Sequence, residues 1–196
     1  GYETVTDPSV FIRFPITSGE LVALEASLLV WTTTPWTLVS NTAIAVHPDV
    51  DYVAARVTHE EASEVLVVAQ ALTSSLTGDV EILKTFKGSS LERVAYSRPL
   101  DFVEIPDAHF VVLATYVTTE DGTGLVHQAP AFGADDLQVC RAYGLPVVNP
   151  IAPDGTFLSS TPVVGGMFFK DADKTLVKEL KASGALYKHQ PYEHSY

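Results

Sequence analysis

The sequence predicts a mainly β fold, a barrel or a sandwich accompanied by helices, and three observations lead there. Alternation of apolar and polar residues with period two is the commonest pattern along the 196 residues. Turn residues separate roughly eight such stretches, the number expected of a closed or double-layered β architecture. Only two stretches carry strong helical spacing. Hydrophobic residues make up 46% and charged residues 18% of the chain, which suits one buried core and is too little chain for two, so residues 1–196 are expected to form a single domain.

Taken in order, Val10 to Phe14 reads as the first strand. Val22, Leu24, Ala26, Leu28 and Val30 then alternate along one face of a second, and Thr42 to Val46, Tyr52 to Val57 and Val65 to Val68 follow. A weaker helical stretch covers Gln70 to Leu76. Val80, Ile82 and Phe86 share a face of a further strand, and Phe110 to Ala114 and Gly124 to Gln128 complete the set. The first clear helix runs from Ala134 to Tyr143, with Leu137 and Cys140 three apart and Gly144 placed to end it. The second runs from Ala172 to Ser183, where Ala172, Leu176 and Leu180 recur every four residues beside Val177. Asp171 is placed to cap its start and Gly184 to close its end.

Composition excludes several classes of function. The longest apolar runs, such as Val65 to Ala69, fall far short of the roughly 20 residues that cross a bilayer. The opening Gly1-Tyr2-Glu3-Thr4 has neither a basic nor an apolar signal segment, so no membrane or export role is expected. A lone cysteine, Cys140, points to a reducing cytosol, and the six scattered histidines make a metal site improbable. The formal charge of -12 opposes broad contact with a phosphate backbone. A module that receives only the flexible end of a nucleic acid, while a larger partner grips the rest, remains compatible with it.

Two motifs carry chemical information. In Trp31-Thr32-Thr33-Thr34-Pro35-Trp36-Thr37-Leu38, followed by Asn41, an apolar strand turns abruptly hydroxyl-rich at a proline. Pro35 forces Thr34 into an extended conformation and ends the strand, so the hydroxyls are free to face a cavity and hold a polar substrate and a water without introducing charge. The Asn41 amide is suited to orienting a water or a ribose hydroxyl. The bland alternative, that threonine is simply a good strand former and Asn41 a turn residue, is weakened by the chain's only two tryptophans, which bracket the motif.

The second motif is Asp121-Gly122-Thr123-Gly124-Leu125-Val126-His127-Gln128-Ala129-Pro130-Ala131-Phe132-Gly133-Ala134-Asp135-Asp136. A glycine turn leads into a short strand bearing His127, and the strand gives way to a helix that opens on two acids. Carboxylates there are stabilised by free N–H groups and the helix dipole, and can face a cation such as an α-ammonium group. Singly, each residue is more often a core histidine or a helix cap. Together they outline a small-molecule pocket.

The two motifs resemble those of the editing domain inserted in isoleucyl-tRNA synthetases, a family of class I enzymes with related forms in the valyl and leucyl synthetases. Trp36 and His127 mark the isoleucyl form. The segment Asp7 to Phe14 resembles the start of that insertion, and His194-Ser195-Tyr196 its return to the synthetase body. The resemblance implies a β-barrel with peripheral helices. It also implies that Thr32, Thr33 and Thr34 line a hydrolytic pocket, with Thr34 and Asn41 placing the water and the terminal adenosine. His127 would form the wall that limits side-chain size, and Asp136, unlike the neighbouring Asp135, would hold the substrate ammonium. Trp36, Thr37 and Ala134 complete the implied substrate-binding set, and Thr33, Thr34, Asn41 and Asp136 the catalytic one.

The implied partners are the 3' end of isoleucine tRNA wrongly charged with valine, valyl-adenylate, and the remainder of a synthetase chain; no cofactor is implied. Two other readings compete. An aspartic protease is contradicted by the glycine after Asp121 and by the lack of a second such motif. A binding module for the charged tRNA end, without catalysis once separated from the synthetase body, stands as the alternative from another class. Neither a phosphate loop nor a dinucleotide fingerprint is present.

Overall fold

The computed structural model describes residues 4–195. Gly1, Tyr2, Glu3 and Tyr196, parts of the opening and closing segments read above, lie outside the described residues. The strands are β1 (Thr4–Pro15), β2 (Ser27–Thr32), β3 (Ala43–Val46), β4 (Asp51–His59), β5 (Ala62–Ala69), β6 (Asp79–Lys87), β7 (Phe110–Leu113), β8 (Leu125–Gln128) and β9 (Leu186–Ser195), with helices α1 (Ala134–Ala142) and α2 (Ala172–Ala182). They form a six-stranded sheet in the order β6-β4-β5-β2-β1-β9 and a three-stranded sheet in the order β7-β3-β8. Among the described residues both sheets stay open, so the mainly β expectation holds while the closed barrel does not. Most neighbours are antiparallel, but β2 meets β5 in parallel through only Ser27 to Leu66 and Leu28 to Val67. Among the described residues the edge strands β6 and β9 do not pair with one another, as closing the large sheet would require.

The largest apolar cluster lies between the two sheets and α2. Val10, Ile12 and Phe14 of β1, Leu28 and Val30 of β2, Ile44 and Val46 of β3, and Leu176 and Leu180 of α2 all bury there. The four-residue recurrence read in α2 is therefore its core-facing stripe. Arg13 ties distant parts of the chain across the edge of the large sheet. Its guanidinium donates to both carboxylate oxygens of Glu64, at 2.7 and 2.8 Å, and to the carbonyls of Gly184 and Leu186, each at 2.9 Å. Such a planar fork matches a carboxylate bidentately, which a lysine could not reproduce.

Three local expectations are corrected. The alternation from Val22 to Ala26 belongs mostly to a 3-10 turn over Glu20–Leu24, because Gly19 and Glu25 both adopt positive φ and break the extended path; only from Ser27 does the strand run. Val80 and Ile82 do not share a face with Phe86. A bulge pairs Ala54 with Lys84 and Ala55 with Ile82, which sets Val80 and Ile82 out to solvent while Phe86 packs on the core. The stretch after β5 is a 3-10 segment, Gln70–Ser75, broken at Leu72. Strand β9 was not foreseen, since Lys188, His189, Gln190 and Pro191 interrupt any apolar alternation; its ladder to β1 supplies the pairing instead.

Candidate functional site

Strand β2 ends at Thr32, and the chain bends at Thr33 and Thr34 into a 3-10 helix over Pro35–Ser40. Proline suits the first helical position, where its missing N–H would have had no partner. The turn brings Thr37 back toward Thr34, whose carbonyl accepts from the Thr37 N–H at 3.1 Å and from its hydroxyl at 2.9 Å. Thr32 Oγ1 accepts from the Thr34 N–H at 3.1 Å, and the hydroxyls of Thr32 and Thr34 lie 3.3 Å apart. A short ladder of hydroxyls thus follows the strand end.

Across from it stands β8. Thr123 fixes its approach, because the Thr123 hydroxyl donates to Leu29 of β2 at 2.7 Å and its carbonyl accepts from Ala69 of β5 at 2.8 Å. His127, opposite Ile44 of β3, is 9% exposed and contacts the ladder: its Nε2 is 2.8 Å from Thr37 Oγ1, and its Nδ1 is 2.9 Å from the Asn41 amide nitrogen. The protons in this network can be assigned by elimination. The Ala43 carbonyl only accepts, so the Asn41 atom 3.1 Å from it is the amide nitrogen. That nitrogen donates to Nδ1 as well, so the His127 proton sits on Nε2 and is given to Thr37, whose own proton goes to the Thr34 carbonyl. Burial pushes the imidazole pKa from 6.5 down to about 4, which keeps the ring neutral near pH 7.

Asp136 closes the site from α1. It lies three residues past Gly133, at the helix start, and accepts the Ala129 N–H at 2.8 Å. Burial raises its carboxyl pKa, and the Ala129 N–H partly offsets this. A Cβ at Gly133 would stand 2.9 Å from Asp136 Oδ1, so a side chain there would displace the carboxylate.

Thr32, Thr34, Thr37, His127 and Asp136, together with Trp31, Val126, Ala129, Phe132 and Gly133, line one cavity of about 230 Å³. That is below the roughly 300 Å³ at which pockets for larger ligands begin, and suits an amino-acid side chain with the ester next to it. A larger cavity of about 590 Å³ lies between the Ser18 to Leu21 turn and β6, but no histidine or buried acid faces it. The smaller cavity has the chemistry.

Four of the residues read from the sequence stand elsewhere. Thr33 faces an adjoining cavity of about 320 Å³ with Tyr116, Thr118 and Asp121. Ala134 is exposed on the first turn of α1. Trp36 packs between Phe132 and Phe169, with ring centroids 4.8 and 4.5 Å away, and its backbone N–H donates to Asp173 Oδ1; it braces Phe132, which does line the cavity. Asn41 is fully buried behind His127 with every amide group engaged, so it orients the imidazole and does not itself reach a water or a ribose. The sequence reading missed Phe132 as a wall, although it lies inside the quoted motif. It also missed Tyr96, whose hydroxyl donates to Asn41 Oδ1 at 2.5 Å and which no motif marks.

Comparison with known proteins identifies the family. Residues 10–179 match a family described as leucyl-tRNA synthetase, editing domain. The whole chain aligns with isoleucine-tRNA ligases of Thermobifida fusca at 64% identity, Streptomyces coelicolor at 61% and Thermus thermophilus at 44%, and spans 18% of the length of each. The fold matches the editing domain of the P. knowlesi cytosolic leucyl-tRNA synthetase with a TM-score of 0.70 at 12% identity, covering 96% of this chain and 97% of that one. For the P. falciparum editing domain the TM-score is 0.68 at 11% identity, with 93% and 99% covered. The chain belongs to the aminoacyl-tRNA synthetase editing-domain family, as an isoleucyl-tRNA synthetase editing domain.

Proposed function

We propose that this domain hydrolyses the ester of valine attached to isoleucine tRNA, and valyl-adenylate as well, while sparing isoleucine by size. The observation that carries the reading is the convergence of the hydroxyl ladder, His127 and Asp136 on one small cavity. Valine lacks one methylene of isoleucine, and a synthetic pocket gains only about 1–3 kcal/mol from that methylene, the value established for isoleucyl-tRNA synthetases themselves. A second pocket that rejects the larger side chain by collision reverses the use of size. Asp136 receives the ammonium group, and the His127 ring forms the wall.

Both nitrogens of His127 are occupied and the ring is neutral, so it is not the base that activates water. Neither a Gly-x-Ser-x-Gly elbow nor a Cys-His pair supplies a nucleophile. An ordered water held by the threonine hydroxyls attacks the ester carbonyl directly, and positioning supplies most of the rate. In single-turnover release from valyl-tRNA in heavy-oxygen water, the label enters valine with no acyl-threonine trapped; a trapped acyl-enzyme refutes direct attack. Wild-type protein releases valine and not isoleucine, and His127→Ala releases both. Isoleucine spared by that variant would remove His127 from the size limit, and valyl-tRNA bound without any release would make the domain a binding module.

A further inference from the structure

We propose that Tyr96 is a positioning residue for side-chain discrimination, holding the Asn41 amide in the place from which it aligns His127; this rests on the proofreading reading above. Tyr96 is 4% exposed and stands edge-on to Phe14, with centroids 5.3 Å apart, so its ring has little room to turn. Its hydroxyl donates to Asn41 Oδ1 at 2.5 Å. Burial holds the phenol protonated, well above its ordinary range, so the donor is always present. The backbone of Asn41 is fixed separately, by His109 Nε2 at 2.9 Å from its carbonyl.

These contacts divide the work. The Ala43 carbonyl dictates which end of the amide is nitrogen, and Tyr96 dictates where the amide stands. Without the phenol hydroxyl, Asn41 Oδ1 has no donor in a dry interior and the amide shifts to find one. His127 Nδ1 then loses its fixed donor, and the Nδ1-protonated ring becomes populated. In that form Nε2 accepts, so the Thr37 hydroxyl must turn from the Thr34 carbonyl toward the ring. Two cavity-lining side chains move together, although Tyr96 touches neither.

The test is Tyr96→Phe in this chain. The two imidazole nitrogen resonances of His127 report the tautomer, and deacylation of valyl-tRNA and isoleucyl-tRNA reports discrimination. Expected are nitrogen shifts moved toward the mixed-tautomer position and a fall of about tenfold or more in the preference for valine. Unchanged nitrogen shifts, or unchanged discrimination, in a folded Tyr96→Phe protein overturn the proposal. Should that variant fail to fold, tyrosine fluorinated beside the hydroxyl keeps the ring and strengthens the donor. It is expected to shift the His127 nitrogens, and stationary resonances overturn the proposal equally. Wild-type protein that releases no valine defeats the proofreading reading instead, and the nitrogen shifts still decide the Tyr96 relay.

Discussion

His127 is neutral when folded and an ordinary imidazole when unfolded, and this difference makes stability depend on pH. Its folded pKa is depressed, so the unfolded chain binds the proton first as pH falls. The stabilisation is complete above about 6.5 and is lost between there and about 4, an interval worth on the order of 3 kcal/mol. His109, also lowered by burial, acts in the same direction. Urea midpoints measured across this range are expected to fall with pH, and His127→Gln to flatten the fall. Asp136 has the opposite sign: its raised pKa means that the charge is less at home in the folded state. Asp136→Asn, which keeps an acceptor for the Ala129 N–H, is expected to leave the denaturation midpoint unchanged or higher. The same variant should slow valine release by tenfold or more, the worth of a charged hydrogen bond of about 1.5–3 kcal/mol. Slower release at an unchanged midpoint separates a substrate-binding carboxylate from a merely structural acceptor, which Asp136→Asn preserves without loss of release. At this scale the sequence was informative where chemistry is local, as with Thr34 or Asp136. It was silent on Tyr96, whose partner lies 55 positions away and whose neighbours in the chain form no pattern.

Among the elements, the turn before β8 is tightly constrained. Gly124 has φ +82°, and a Cβ there would fall 2.5 Å from Ala69 Cβ and 3.4 Å from the Tyr52 ring. Its carbonyl also accepts the Tyr52 hydroxyl at 2.6 Å, so the backbone cannot retreat. Gly124→Ala is expected to cost at least about 2 kcal/mol in urea unfolding, and Gly144→Ala, with nothing within 4 Å of the new methyl, about 1. The two helices were legible because the glycines that follow them and the apolar stripe of α2 are local, and they end within a residue of the expected positions, although Asp171, read as the cap of α2, makes no side-chain capping bond. The 3-10 helix after Pro35 was not. Proline announced the end of β2, but the turn that swings Thr37 onto His127 depends on packing of Trp36 against Phe132 and Phe169, which lie about a hundred residues or more further along.

Across the whole molecule, the site belongs to no single sheet. Thr32 ends a strand of the large one, His127 lies in the small one, and Asp136 stands at the start of α1, whose Cys140 packs with Ala43, Ala45 and Val112 of the small sheet. Strand alternation showed that sheets would form, but whether they close is decided by long-range pairing of edge strands such as β6 and β9, which alternation does not encode. The cavity therefore behaves like the gap of a pair of callipers, with one jaw on each sheet and the interior as the pivot. Leu125, buried 98% and two residues before His127, belongs to that pivot without lining the gap. Leu125→Ala, at about 2–5 kcal/mol of stability, is expected to let isoleucine be released at temperatures well below unfolding, because a loosened pivot widens the jaws before it separates them. Fidelity in such an instrument should degrade with warming sooner than the fold does, and tracking isoleucine release against temperature beside the unfolding curve will show whether the two come apart.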